Sequence, residues 1–454
     1  MRELLRFPAI ILALMLPMLS LAQNLPVREI TYADAWAEEG LSLGQSGPNG
    51  ISLSFSIERF TLSTVTINGQ EMTEVGLPGV FLPGESGAPN LPGMGRYIAV
   101  PEGATATLHI TGIRTDTLRG IKVSPAPVIP LETEDGLVYA RNEAIYSSNA
   151  LYPANPVQLG QPSEIRGVDA IMFGLTPFQY NPVKEELIVI RDLSVEVRFS
   201  GGNGQFGEDR LRSRWWDPIL RDAFINSSSL PAKDYSSRHN PNDLGYEYLI
   251  IAPNNPQYLA WADTIKQWRT LQGIKTGIVT LSDIGSNTTA AIENYINTAY
   301  NTWTIPPAAI LLMADYGTGA ATGNGIHSPT YNSYCISDHI YADVNGTDHM
   351  AEIAFARMTA QTEAQLAIMV QKFIDYETSP PINPAFYNNP VTAMGWQTER
   401  WFQLCSETVN GFLQYGLGKT PVRENAIYSG TPGGAWSTAT NTTTVVNYFG
   451  PSGL

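Results

Sequence analysis

The chain has 454 residues, a formal net charge of −15 and only 15% charged residues. That length exceeds one ordinary hydrophobic core and predicts about two to three domains. The acidic balance excludes a nucleic-acid partner, because holding phosphates requires a basic surface, and abundant Thr, Asn, Ser, Gly and Pro read as a β-rich, loop-rich extracellular protein.

Residues 1–22 read as a signal peptide. Arg2 and Arg6 supply a positive start, and the apolar run from Phe7 to Leu19 is shorter than the roughly 20 residues of a membrane span. Ser20-Leu21-Ala22 places small residues at a cleavage site, so Gln23 is the expected mature N-terminus. No later stretch has the apolar length of a transmembrane segment, and secretion or cell-surface display is the expected localisation.

From residue 23 to 205 the pattern is that of strands. Ile51-Ser-Leu-Ser-Phe-Ser-Ile alternates apolar and polar, as do Thr105 to Gly112 and Leu187 to Phe199. Gly- and Pro-rich breaks separate these runs, and no amphipathic helix stands out, so an antiparallel β-sandwich is predicted. Residues 206–244 change character after the Gly201-Gly-Asn-Gly break. They carry Arg210, Arg212, Arg214, Arg221, Lys233 and Arg238 together with Trp215 and Trp216. This reads as a connector that proteases cut easily, with those six basic residues as candidate cleavage points.

From residue 245 strands and helices alternate. Tyr246 to Ala252 is a strand, Tyr258 to Gln272 a helix closed by Gly273, and Thr276 to Leu281 a strand. Asn287 to Trp303 is a helix and Ala308 to Asp315 an apolar strand ending on a carboxylate. Ile353 to Arg357, the helix Thr362 to Glu377, the strand Val391 to Trp396 and the helix Trp401 to Tyr415 complete the series. This order predicts a mostly parallel sheet with helices on its faces and ligands at the carboxyl ends of its strands. The stripe Trp401, Leu404, Cys405, Val409 and Phe412 is expected to face the core.

Two cysteines, Cys335 and Cys405, do not make a disulfide scaffold, and buried free thiols are expected. Cys335, His339 and His327 lie close in sequence, but a Cys–His pair needs closeness in space, and a structural Cys beside a loop His reads more simply. Asp343-Val-Asn-Gly-Thr-Asp348 packs oxygen donors around a Gly turn. It fits calcium through Asp343, Asn345 and Asp348, or is a bare acidic turn. No organic cofactor is implied.

Several ordered stretches resemble the gingipain cysteine peptidases (family C25, clan CD). They are Tyr248-Leu-Ile-Ile-Ala, the helix ending Lys266-Gln-Trp-Arg-Thr-Leu-Gln-Gly, Ile310-Leu-Leu-Met-Ala-Asp, and above all Ser337-Asp-His-Ile-Tyr to Arg357. Gly87-Ala-Pro-Asn-Leu-Pro and Phe178-Gln-Tyr-Asn-Pro resemble the propeptide of that family. The resemblance implies a β-rich inhibitory propeptide over 23–205, an activation segment over 206–244, and the N-terminal part of a caspase-like α/β peptidase domain over 245–454. It implies a secreted endopeptidase zymogen acting on protein or peptide substrates, with its propeptide as intramolecular inhibitor. The nucleophilic Cys and its His are expected beyond residue 454, so the fragment itself is expected to be inactive. Glu399 matches a Glu that supports that His, although a carboxylate at a helix start has a reason of its own. A secretion-system sortase of the same family, and a non-catalytic surface-binding protein on the same fold, are the alternatives.

Overall fold

The computed structural model describes residues 27–80, 84–128, 138–235, 242–316, 324–333, 335–345, 349–394, 401–426 and 436–438. The N-terminal unit is built from β1 (Val27–Thr31), β2 (Gly40–Gly47), β3 (Gly50–Ser56), β4 (Arg59–Ile67), β5 (Gln70–Gly76), β6 (Met94–Ala99) and β7 (Ala104–Arg119). A one-turn helix α1 (Glu143–Tyr146) follows, then β8 (Val157–Ile165), β9 (Val168–Leu175), β10 (Phe178–Asn181) and β11 (Glu186–Gly201). The strands form three antiparallel sheets, ordered β1-β4-β5, β6-β9-β8 and β10-β11-β3-β2, with β7 also paired to β11. Alternation decides which side chains point inward. Ile51, Leu53 and Phe55 of β3 and Val195 and Val197 of β11 are all buried in one shared core.

The stretch expected to be a loose connector is folded over residues 206–230. It holds helix α2 (Asp217–Ala223) and a single 3-10 turn at Ser227–Ser229. The cause is its apolar spacing: Phe206, Leu220 and Phe224 join the first core, while Leu211 joins the second. Asn226 ties it down further, exchanging hydrogen bonds with both backbone groups of Ala99. From Pro231 to Tyr235 the described residues run exposed and without regular structure.

The C-terminal unit alternates β12 (Tyr248–Ala252), α3 (Pro256–Leu271), β13 (Thr276–Thr280), α4 (Leu281–Ile284), α5 (Thr289–Thr302) and β14 (Ala309–Leu312). A two-residue hairpin, β15 (Thr330–Tyr331) with β16 (Cys335–Ile336), precedes α6 (His339–Ala342), β17 (Ala354–Arg357) and α7 (Glu363–Thr378). Strands β13, β12, β14 and β17 pair in that order, all parallel. Caps set the helix starts: Asn255 accepts from Gln257 and Tyr258, Thr288 from Ala291, and Thr362 forms a capping box with Gln365. Gly273 ends α3 at φ +78°, a conformation that suits glycine.

Then come α8 (Pro384–Asn388), β18 (Val391–Met394), α9 (Trp401–Gly411), β19 (Val422–Ala426) and β20 (Trp436–Thr438). Among the described residues, β18 pairs with β19 in a separate three-stranded sheet and not with the four parallel strands. Of the stripe expected to face the core on α9, Cys405, Val409 and Phe412 are exposed, and the side chains of Trp401 and Leu404 lie outside the described residues, while Asn410 is buried and its Oδ1 accepts from Thr392 Oγ1 at 2.9 Å. Among the described side chains of α9, this polar contact with β18 marks the inward face.

Candidate functional site

Because the four strands are parallel, their carboxyl ends share one edge, where such sheets hold their ligands. On β14 the chain leaves through buried Met313 and Ala314 to Asp315. Asp315 Oδ1 accepts from the Tyr316 amide at 2.8 Å, and Oδ2 accepts from Gln361 Nε2 at 2.7 Å. On β17 the edge residue is Arg357. Its Nε and Nη2 donate to the two oxygens of Asp338 at 2.7 and 2.9 Å. Nη2 also donates to Ser328 Oγ at 2.7 Å, and Nη1 to the carbonyls of Ala314, Ile326 and Asp315 at 2.9, 3.0 and 3.2 Å.

Burial would raise the Asp338 carboxyl, but the hydrogen bonds from Arg357 and Ser328 and the Arg357 charge outweigh it and hold the group below its ordinary range. With its donors spent on six acceptors, Arg357 clamps the exits of β14 and β17 to the 326–328 loop. It frames the edge rather than reading a substrate. Neighbouring exits are fixed in the same way: Asn254 Oδ1 accepts from Ser282 N, and Asn255 Nδ2 donates to Asn324 Oδ1, both at 3.0 Å.

Two adjoining stretches of the chain match models of a single family. Residues 40–226 match Propeptide_C25, and residues 242–449 match Peptidase family C25. The chain belongs to peptidase family C25. It is similar to Lys-gingipain HG66 of Porphyromonas gingivalis, 22% identical over 375 residues, which cover 80% of this chain and 21% of the relative. It is also similar to gingipain R2 of the same organism, 22% identical over 300 residues, covering 64% of this chain and 38% of that protein. The chain thus spans about a fifth to two-fifths of the length of these relatives. Two solved structures are similar: the complex of Porphyromonas gingivalis RgpB pro- and mature domains, and gingipain K in a study of its zymogenic latency. The first has TM-score 0.37 and 18% identity over 41% of this chain and 97% of that one. The second has TM-score 0.34 and 24% identity over 39% and 100%.

For a C25 chain the first question is where cysteine and histidine meet. Cys335 sits exposed in the β15–β16 hairpin, opposite Tyr331. His339 opens α6, with its Nε2 at 2.7 Å from the carbonyl of His349. His327 is held by its backbone, its amide donating to Asn287 Oδ1 and its carbonyl accepting from Tyr341 Oη. Among the described residues no hydrogen bond joins a cysteine to a histidine. Both cysteines are free and exposed, which corrects the expected burial.

The acidic turn lies elsewhere, on the loop that leads into β17. Glu352, fully buried, accepts with Oε2 from the amides of Val344 and Asn345 at 2.7 and 3.2 Å and so shapes the turn. Asn345 Nδ2 donates across to Glu164 of the propeptide at 3.1 Å, and Asp343 Oδ2 lies 3.8 Å from His349 Nδ1. Asp348 lies outside the described residues. Burial pushes the Glu352 carboxyl up to about 7, with Asp343 and Glu164 adding to the rise against its two amide bonds.

Glu399 also lies outside the described residues. The strand before it belongs to the β18–β19–β20 sheet, so the described residues do not join it to the edge that carries Asp315.

Of the basic residues expected as cleavage points, Arg212 is buried, bonded to Asp217 and the Pro231 carbonyl. Arg210 donates to the Tyr300 and Trp303 carbonyls. Arg214 and Arg221 are exposed but belong to the packed segment. Lys233 lies in the exposed stretch, and Arg238 lies outside the described residues.

The sequence reading missed the Arg357–Asp338 clamp and the role of Glu352. Both lie inside the stretch that most resembled the family, and an Asp nineteen residues from an Arg carries no spacing signal of its own.

Proposed function

We propose that this chain is the propeptide and leading part of the peptidase unit of a secreted gingipain-like cysteine endopeptidase zymogen. The single observation that carries the reading is the order of the two C25 matches, propeptide then peptidase, with the exposed Pro231–Tyr235 stretch between the folded units. In this reading a thiolate attacks the peptide carbonyl and a histidine protonates the leaving amine. Neither comes from the Cys and His residues described here; both are supplied from beyond residue 454, on a caspase-like α/β framework. Activation cuts the segment after Lys233 or Arg238, the two basic residues of the six that do not fall within the packed 206–230 segment. Glu399 orients the histidine: in the longer gene product, Glu399→Gln should lower kcat about tenfold or more. The reading is tested on that longer product, by hydrolysis of reporter peptides that a thiol alkylator abolishes. Alkylation without effect on turnover would remove the cysteine mechanism.

Calcium at the 343–348 turn is part of the same proposal. Asp343 and the Asn345 carbonyl oxygen fit a hard cation, and the Asn345 amide, spent on Glu164, leaves that oxygen for coordination.

A further inference from the structure

Among the described residues, three hydrogen bonds from the connector to the α/β unit land on one side of it. Arg214 Nη2 donates to Gly273 O at 2.8 Å, just ahead of β13. Arg210 Nη1 donates to Trp303 O at 3.3 Å, at the end of α5. Trp216 Nε1 donates to Ala308 O at 2.9 Å, ahead of β14. In parallel strands these positions all belong to the N-terminal edge, opposite Asp315 and Arg357.

At the centre of this surface is Arg166. It lies at the tip of the β8–β9 hairpin, beside Gly167, and is 1% exposed. Its Nε donates to Leu211 O at 3.0 Å, and its Nη1 to Pro307 O at 2.8 Å and Glu352 O at 2.6 Å. The guanidinium lies over two rings, Trp216 at 5.4 Å and Tyr300 at 5.1 Å. Three chain segments therefore converge on one side chain: the connector, the approach to β14 and the approach to β17.

Two features show that the position is specified. Arg166 has φ +52°, a left-handed conformation that a two-residue hairpin usually gives to Asn, Asp or Gly. The fit around it is also tight, since a Cβ on Gly167 would come within 2.2 Å of Leu211 Cδ1. Burying a cation with no carboxylate hydrogen-bonded to it is costly, and here carbonyl dipoles and ring faces offset the cost. Burial lowers the Arg166 pKa only to about 10, so it stays charged at neutral pH.

We propose that Arg166 and its socket are the docking site by which the propeptide grips the N-terminal edge of the α/β unit. This site is separate from the edge where chemistry belongs, and it makes propeptide, connector and that edge open as one body. A cut after Lys233 or Arg238 then leaves 206–230 on the propeptide side, and the propeptide stays attached through this socket. The proposal does not depend on the enzyme reading, and its readouts use no turnover.

The test uses the full chain. Arg166→Met and Arg166→Lys should both speed the first trypsin cuts at Arg210 and Arg212 by about tenfold or more, because lysine lacks the planar fork that reaches separated carbonyls. Tyr300→Phe keeps the ring and removes only a hydroxyl that has no partner among the described residues, so it should cut at the wild-type rate. Wild-type cutting rates in Arg166→Met would overturn the proposal, as would a Tyr300→Phe rate equal to that of Arg166→Met. Should the Arg166 variants fail to fold, native-state hydrogen exchange on the wild type decides. The amides of Leu211, Ala308 and Ala354 should share one opening free energy, and a Leu211 amide exchanging orders of magnitude faster would sink the idea.

Discussion

Two carboxyls that precede β17 in the chain, Asp338 and Glu352, illustrate opposite uses of burial. Asp338 is held below its ordinary range by Arg357 and Ser328, so it stabilises the fold at pH above its unfolded value near 4 and loses that contribution as pH falls through its folded value. Removing the partner leaves a half-buried charge uncompensated. Arg357→Met should therefore cost about 3 kcal/mol, measured by urea unfolding at pH 7; an unchanged midpoint would show the clamp to be incidental. Glu352 runs the other way. Its pKa is raised to about 7, so its contribution is fully present below its unfolded value near 4.5 and is lost as pH rises through about 7. Glu352→Gln removes that titration and can still accept the amides of Val344 and Asn345. The variant should gain on the wild type as pH goes from 5 to 8, read as the difference between their melting temperatures. A difference that stays flat over that range would mean Glu352 is ionised throughout.

At the scale of elements, the sequence was readable wherever a periodic pattern met a solvent boundary. The alternation of Ile51, Leu53 and Phe55 located β3, and the spacing of Ile292, Ile296 and Ala299 located α5, because each pattern reports one buried face. Contacts made through backbone carbonyls left no such trace. Nothing in the residue types of Leu211, Pro307 and Glu352 marks them as a guanidinium socket, and Arg166 reads as an ordinary turn residue. The connector was misjudged for a related reason. Its basic residues suggested exposure, yet Phe206, Leu220 and Phe224 bury it against the propeptide core. Limited trypsin digestion of the native chain should cut first after Lys233 or Arg238, with Arg212 spared until the fold opens. First cuts at Arg212 would mean that 206–230 detaches readily. The acidic turn gives a second test at this scale. Calcium should raise the melting temperature of the wild type and not that of Asp343→Asn. Equal responses would leave the turn as a bare loop held by Glu352.

Across the whole molecule, the geometry separates holding from chemistry. The propeptide and connector grip the N-terminal edge of the parallel sheet, while Asp315 and the Arg357 clamp shape the opposite edge. An endopeptidase of the proposed kind needs a thiolate and an imidazole within hydrogen-bond reach of each other. Here Cys335 is exposed on a two-residue strand, and the His339 ring is engaged with the His349 carbonyl. Purified 23–454 should therefore release no product from Arg, Lys or other reporter peptides. Without the nucleophile and base, what survives in such enzymes is a small residue of the full rate. Cys335→Ala should change nothing in that assay, and the same reporters should be cut by the longer gene product once the segment after Lys233 is opened. Turnover by 23–454 that Cys335→Ala abolishes would place the nucleophile in the β15–β16 hairpin and overturn the assignment of a distant pair. A longer product that folds, is cut at the connector and still hydrolyses nothing would instead favour a surface-binding protein on the C25 fold.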